Sequence, residues 1–110
     1  MNNTKIPQGV VIEIQAVDMT INEKLQKKIF KMLEKFKRYF TNISWADFYM
    51  RQSPWRTSSP RTVKVRLGIP GPDVFASHSG NSWKPLMKRV EQKILQQLEK
   101  RKAQTSTHNP

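Results

Sequence analysis

Lys24, Lys28, Lys31, Lys35 and Arg38 recur at steps of four, three, four and three residues. On an α-helix that spacing puts all five on one face, since residues three and four apart are neighbours. Arg89, Lys93 and Lys100, at steps of four and seven, repeat the pattern nearer the C-terminus. A row of cations on a rigid rod pairs with regularly spaced anions, and nucleic-acid phosphates are such an array. Each phosphate neutralised releases condensed counterions, which makes binding strongly salt-dependent. Lys predominates over Arg, favouring backbone contact over bidentate base recognition. Lys64 and Arg66, on the polar side of an alternating segment, extend the candidate RNA-binding set.

A solvated helix face with Lys supplying helix propensity is the plainer explanation of one such stripe. Two stripes with few acids beside them are harder to explain that way, because like charges at these spacings cost a few tenths of a kcal/mol per pair. The whole chain of 110 residues carries 20 Lys plus Arg against 8 Asp plus Glu, a net charge of +12. Each predicted helix holds seven basic and two acidic residues, a net +5 apiece. A polyanionic partner is therefore expected.

Other chemistries lack their residues. The absence of cysteine excludes a disulfide scaffold, a zinc ribbon and a thiol nucleophile. His78 is the one histidine outside the C-terminal segment, with no carboxylate pair, Ser/His/Asp spacing or glycine-rich phosphate loop to accompany it. Asp47 and Glu13 are isolated acids within strands. No enzymatic activity, cofactor, metal or small-molecule substrate is expected. Apolar runs stop at three residues and MNNTKIPQG has no apolar core, so neither a membrane span nor a leader is expected, and the location is expected to be cytoplasmic. A membrane-surface role would need a free apolar helix face, and both faces are required for a core. Trp55 and Arg56 sit in a Pro/Ser-rich loop. There the Trp either stacks on an unpaired base or folds back on the core edge.

The elements that position these groups follow from periodicity. Val10–Val17 alternates as a strand, with Ile12, Ile14 and Ala16 on one side. Leu25, Ile29, Met32, Leu33, Phe36 and Phe40 form one apolar arc, so a helix spans about Asn22 to Phe40. Thr20 with Glu23 has capping-box spacing, and Asn22 is a second candidate N-cap. Ile43–Arg51 reads as a strand, residues 52–61 as a loop, Thr62–Ile69 as a cleanly alternating strand, Pro70–Asp73 as a turn and Val74–Ser79 as a last strand. Ser82 is a good N-cap for a second helix. Its stripe of Trp83, Leu86, Met87, Val90, Ile94 and Leu98 runs to about Lys102, and Pro85 is tolerable in its first turn. The fold class is α+β: a two-layer β-α-β-β-β-α sandwich, with two helices on one face of a four-stranded, mostly antiparallel sheet. Residues 1–9 read as a flexible lead, 10–102 as a single domain and 103–110 as a disordered tail.

Several segments resemble the ribosome hibernation-promoting factors of the ribosome-associated translation inhibitor group. Thr20-Ile21-Asn22-Glu23-Lys24-Leu25 is similar to the family's entry into its first helix. Leu33-Glu34-Lys35-Phe36, followed by Tyr39-Phe40, is similar to that helix's end, and Ala76-Ser77 to the last strand. Glu91 through Lys100 is similar to the later part of the second helix, with Gln97-Leu98 matching directly and Lys93 and Lys100 at basic positions. The opening of that helix departs: Lys84 stands for a usual Tyr, Pro85 and Leu86 for small residues, and further on Gln96 stands for a common Arg. The resemblance covers Val11 to Lys102 and corresponds to the short form of the family. It implies a fold like that of double-stranded RNA-binding domains. It also implies binding to the small ribosomal subunit and its rRNA by the basic helices. The messenger and transfer RNA channel would then be blocked during stress or stationary phase, by a protein that is monomeric when free. A non-ribosomal RNA- or DNA-binding domain, and a module for an acidic protein, are the alternatives.

Overall fold

In a computed structural model, residues 9–55 and 57–107 are described. The order is β1 (Val11–Val17), α1 (Glu23–Tyr39), β2 (Trp45–Gln52), β3 (Arg61–Gly68), β4 (Val74–Gly80) and α2 (Trp83–Thr107). The strands lie in sequence order across one sheet. β1 pairs parallel with β2, which requires a crossover connection, and α1 supplies it. β2–β3 and β3–β4 are antiparallel. This is the expected α+β sandwich with a mixed, mostly antiparallel sheet.

Alternation decides which face is dry. Ala46, Phe48 and Met50 of β2, Val63, Val65 and Leu67 of β3, and Val74 and Ala76 of β4 are all buried. They pack against Ile29, Leu33 and Phe36 of α1 and Val90, Ile94 and Leu98 of α2, each fully inaccessible. Phe30 joins this core although it stood outside the predicted arc. At the sheet edge, Ile12 and Ile14 are half-buried while Ala16, expected beside them, is exposed.

The helix boundaries have local causes. Asn22, not Thr20, caps α1: its Oδ1 accepts from the Leu25 N–H at 2.8 Å. Glu23 in the first turn and Lys37 and Arg38 in the last suit the helix dipole. Replacing Asn22 with Ala is expected to cost about 0.5–2 kcal/mol, the ordinary value of a lost cap, measurable as a lower urea midpoint with an unchanged slope.

α2 runs to Thr107, five residues beyond the predicted end at Lys102, so 103–107 are helical where a tail was expected. Ala103 and Gln104 are good helix formers, and no Gly or Pro intervenes before Pro110. The rest of the expected tail, 108–110, and residues 1–8 of the expected lead lie outside the described residues. Gly71, with φ +85°, makes the Pro70–Asp73 turn, and Arg101 holds that turn by donating to the Pro70 and Pro72 carbonyls at 2.8 and 2.7 Å.

Candidate nucleic-acid interface

The α1 stripe lies on the flank of the helix that meets α2. Lys28, Lys31, Lys35 and Arg38 line one wall of an inter-helical groove of about 440 Å³, and Lys84 and Lys88 of α2 line the other. Met32 and Met87 form part of the lining, and the acids present are Glu34 and Glu91. Six cations against two carboxylates leave the groove at net +4. Glu91 accepts from Lys35 Nζ at 2.8 Å, tying one cation across the groove in a half-solvated ion pair.

The groove continues at both ends. Toward the helix N-termini, Lys28 and Lys84 also line a depression of about 560 Å³ that adds Lys24. Toward the C-terminus of α1, Arg38 also lines a depression of about 430 Å³ with Tyr39, Arg101 and Lys102. There the Lys102 ammonium stands 4.9 Å from the Tyr39 ring centre. One basic track thus follows the whole of α1, about 25 Å at 1.5 Å per residue. Its cations project from helices whose opposite faces are locked in the core. Little further ordering is needed when an anion arrives, beyond that of the side chains themselves.

The ten candidate cations do not form one surface. Lys24, Lys28, Lys31, Lys35 and Arg38 share the track. Arg89 and Lys93 lie on the other flank of α2, toward β4, where their charge reaches His78. Lys100 lines a shallow depression with Gln96 and Gln97, away from α1. Lys64 and Arg66 lie on the outer face of the sheet, which the helices do not cover. The α2 partners of the α1 stripe are instead Lys84, Lys88 and Lys102, none of them among the candidates. Their spacing was legible: 84, 88, 91, 95, 98 and 102 also share a helix face. What the sequence lacked was a sign of which flank of α2 turns toward α1.

His78 is half-buried on β4. Burial, then the charges of Arg89 and Lys93, push its pKa below the ordinary 6.5. The folded chain therefore resists protonating His78 while the unfolded chain accepts the proton near pH 6.5. Stability should be full above that value, decline as the pH falls through and below it, and level off once the folded form also protonates. Urea midpoints measured from pH 7.5 to pH 5 check this, and His78→Gln should flatten the decline.

Trp55 is 75 % exposed, so it does not fold back on the core. Arg56 lies outside the described residues. The loop carrying Trp55 is anchored at its base, where the Ser53 N–H donates to the Pro60 carbonyl and the Ser59 N–H to Asn81 Oδ1, both at 2.8 Å. Asp47 lies beside Lys64 and Arg66 on the outer sheet face. Among the described residues, no group of three or more His, Cys, Asp or Glu could hold a metal ion, and no helix is long and apolar enough to cross a membrane.

Fold and track together define a class: a small basic α+β domain whose two helices form a cationic groove on one side of an open sheet. The chain belongs to the family described as sigma 54 modulation protein / S30EA ribosomal protein, whose pattern matches residues 12–106. This bears out the resemblance to the hibernation-promoting factors. Solved structures share the fold, among them the following two. A ribosomal subunit interface protein from Coxiella burnetii has a TM-score of 0.72 at 18% identity, covering 84% of this chain and 97% of that one. The N-terminal domain of Thermus thermophilus Protein Y has a TM-score of 0.69 at 13% identity, covering 82% and 97%. No curated protein sequence matches the chain.

Proposed function

We propose that this protein is a ribosome-associated translation inhibitor. It binds the small ribosomal subunit by laying the inter-helical track on rRNA phosphates, and it occludes the messenger and transfer RNA channel by its bulk. The observation that carries this reading is the groove itself: six cations from two helices converge on one concave strip. Membership of the S30EA family and the ribosomal subunit interface protein among the structural neighbours supply the ribosome as the polyanion. The role is steric and electrostatic and needs no chemical step. It places the protein in the cytoplasm, on idle ribosomes during stress or stationary phase, and as a monomer when free.

Lys24, Lys28, Lys31, Lys35 and Arg38 are the principal contacts in this reading, joined by Lys84 and Lys88. Arg89, Lys93 and Lys100 supply secondary contacts along the outer flank of α2. With about six phosphates engaged, affinity should fall roughly 10³-fold between 50 and 200 mM salt. Sedimentation through sucrose decides it: the protein should travel with small subunits at low salt and stop an added messenger RNA from binding. A protein that stays at the top of a low-salt gradient overturns the proposal. Equal affinity for small subunits and generic duplex RNA would favour a non-ribosomal nucleic-acid-binding domain.

A further inference from the structure

Both helices lie on one side of the sheet, and no element among the described residues covers the other. The outer face of such a sheet ordinarily carries small polar and charged side chains. This one carries three aromatic rings. Trp45 alternates with the buried Ala46, Phe48 and Met50, so it points outward, and it pairs in register with Gly68. A Cβ at Gly68 would fall 2.2 Å from the indole, so the ring lies directly on the backbone there, which only glycine permits. Tyr49 and Phe75 stand on the same face, and Phe75 is 40 % exposed.

Cations sit on two of the rings. Lys64 Nζ lies 4.9 Å from the centre of Tyr49, and the Arg66 guanidinium carbon 4.7 Å from the centre of Phe75. These four side chains, with Asp47, line one shallow depression of about 250 Å³. Arg66 also reaches Asp73 at 3.7 Å, which holds the guanidinium in place over the ring. Asp47 is opposite Arg66 in register, with Glu13 beside it on β1.

We propose that this outer face is a second nucleic-acid surface, and that it takes the bases of unpaired RNA. The chemistry differs from that of the groove. The Arg66 guanidinium, backed by the Phe75 ring, and the part of that ring still exposed offer π surfaces, which attract bases that are not already stacked in a duplex. The Asp47 and Glu13 carboxylates repel phosphate but accept hydrogen bonds from base amino groups, so bases lie against the sheet while phosphates keep to the Lys64 and Arg66 side. A rigid duplex, which turns only phosphates and groove edges outward, does not fit this mixture. A protein partner is the weaker match, because two of the three rings are already capped by cations and leave no continuous apolar patch. The molecule is thin, its Cα atoms spanning only 18 Å along the shortest axis. It could therefore lie between a paired and an unpaired RNA element. The assignment of the sheet face rests on that face, while the duplex control in its test rests on the reading of the groove.

The test compares two RNAs by fluorescence anisotropy over a range of salt, using the full chain. One is an unstructured single strand of about ten nucleotides and the other a duplex of about 16 base pairs. The Tyr49→Ala/Phe75→Ala double variant should bind the single strand about tenfold or more weakly, with an unchanged salt slope and unchanged duplex affinity. A Lys28→Glu/Lys31→Glu/Lys35→Glu variant should show the opposite, losing the duplex and keeping the single strand. If the aromatic variant fails to fold by circular dichroism, Arg66→Gln with Lys64→Gln, both at exposed positions, replaces it: the single strand should bind more weakly with a salt slope shallower by about 1.4, and the duplex as before. Unchanged single-strand affinity in a folded face variant overturns the proposal. So does loss of the single strand in the helix variant alone. If face variants weaken ribosome binding yet bind the single strand normally, the face meets a ribosomal protein and the RNA assignment is wrong.

Discussion

Reversing Lys28, Lys31 and Lys35 to Glu should lower affinity for small ribosomal subunits by at least about 100-fold at 0.1 M salt, with no loss of fold. Each phosphate contact contributes about 0.9 to the slope of log affinity against log salt, so three contacts supply about 2.7 decades between 1 M and 0.1 M. The slope itself should become shallower by about 2.7, a signature that general damage to the protein would not produce. Structural cost is small because Lys31 and Lys35 are exposed and Lys28 is half-buried on the groove wall, outside the core. Lys35→Glu also sets a new carboxylate against Glu91 and removes an ion pair. At the exposure of that pair, about half for Lys35, the loss is at most about 1 kcal/mol. Co-sedimentation at several salt concentrations, with circular dichroism of the variant, measures both quantities. Affinity that is unchanged at moderate salt would remove the track from the interface. The same substitutions at Arg89, Lys93 and Lys100 should have a smaller effect, since those residues sit outside the groove.

The largest stability losses are expected from the core beneath the track. Leu33→Ala or Ile94→Ala should each cost about 2–5 kcal/mol, the sum of lost transfer energy and the cavity left behind. Both residues are fully inaccessible, one on each helix, and both pack on the sheet. Stability of a domain this size is commonly about 5–15 kcal/mol, so either change removes a large part of it. Urea unfolding at constant pH measures the cost. A cost under 1 kcal/mol would mean that the site refills by relaxation. Both variants should bind ribosomes normally at temperatures where they remain folded, because neither removes a cation. Together the two experiments separate the wall of the groove from the layer that holds it in shape.

The single dimension of the chain already contained much of this. The β-α-β-β-β-α order, the α1 arc and the alternation of β3 follow from periods of 3.6 and 2, which each element sets within its own residues. The α1 stripe was legible for the same reason: Lys24, Lys28, Lys31, Lys35 and Arg38 lie on one helix, and their angular relation is fixed by the helix alone. The choice of Asn22 over Thr20 as the cap was not legible, since both have the side chain for it and only the actual path of the chain out of β1 selects one. The end of α2 was placed early because its apolar stripe ends at Leu98, whereas a helix continues wherever nothing stops it.

Relations between elements are what only the tertiary structure decided. Sequence spacing singled out one basic flank of α2, Arg89, Lys93 and Lys100, and the structure shows a second. Packing of Val90, Ile94 and Leu98 on the sheet turned Lys84, Lys88 and Lys102 inward to the track, and Arg89, Lys93 and Lys100 away from it. Lys64 and Arg66 are basic like the stripe, but strand alternation with buried Val63, Val65 and Leu67 sends them through to the opposite side of the sandwich, beside Tyr49 and Phe75. Composition and periodicity therefore determined that the chain carries a folded core and a large excess of positive charge on two helices. Which cations meet across space depended on side-chain packing between segments far apart in sequence, and local periodicity holds no information about that.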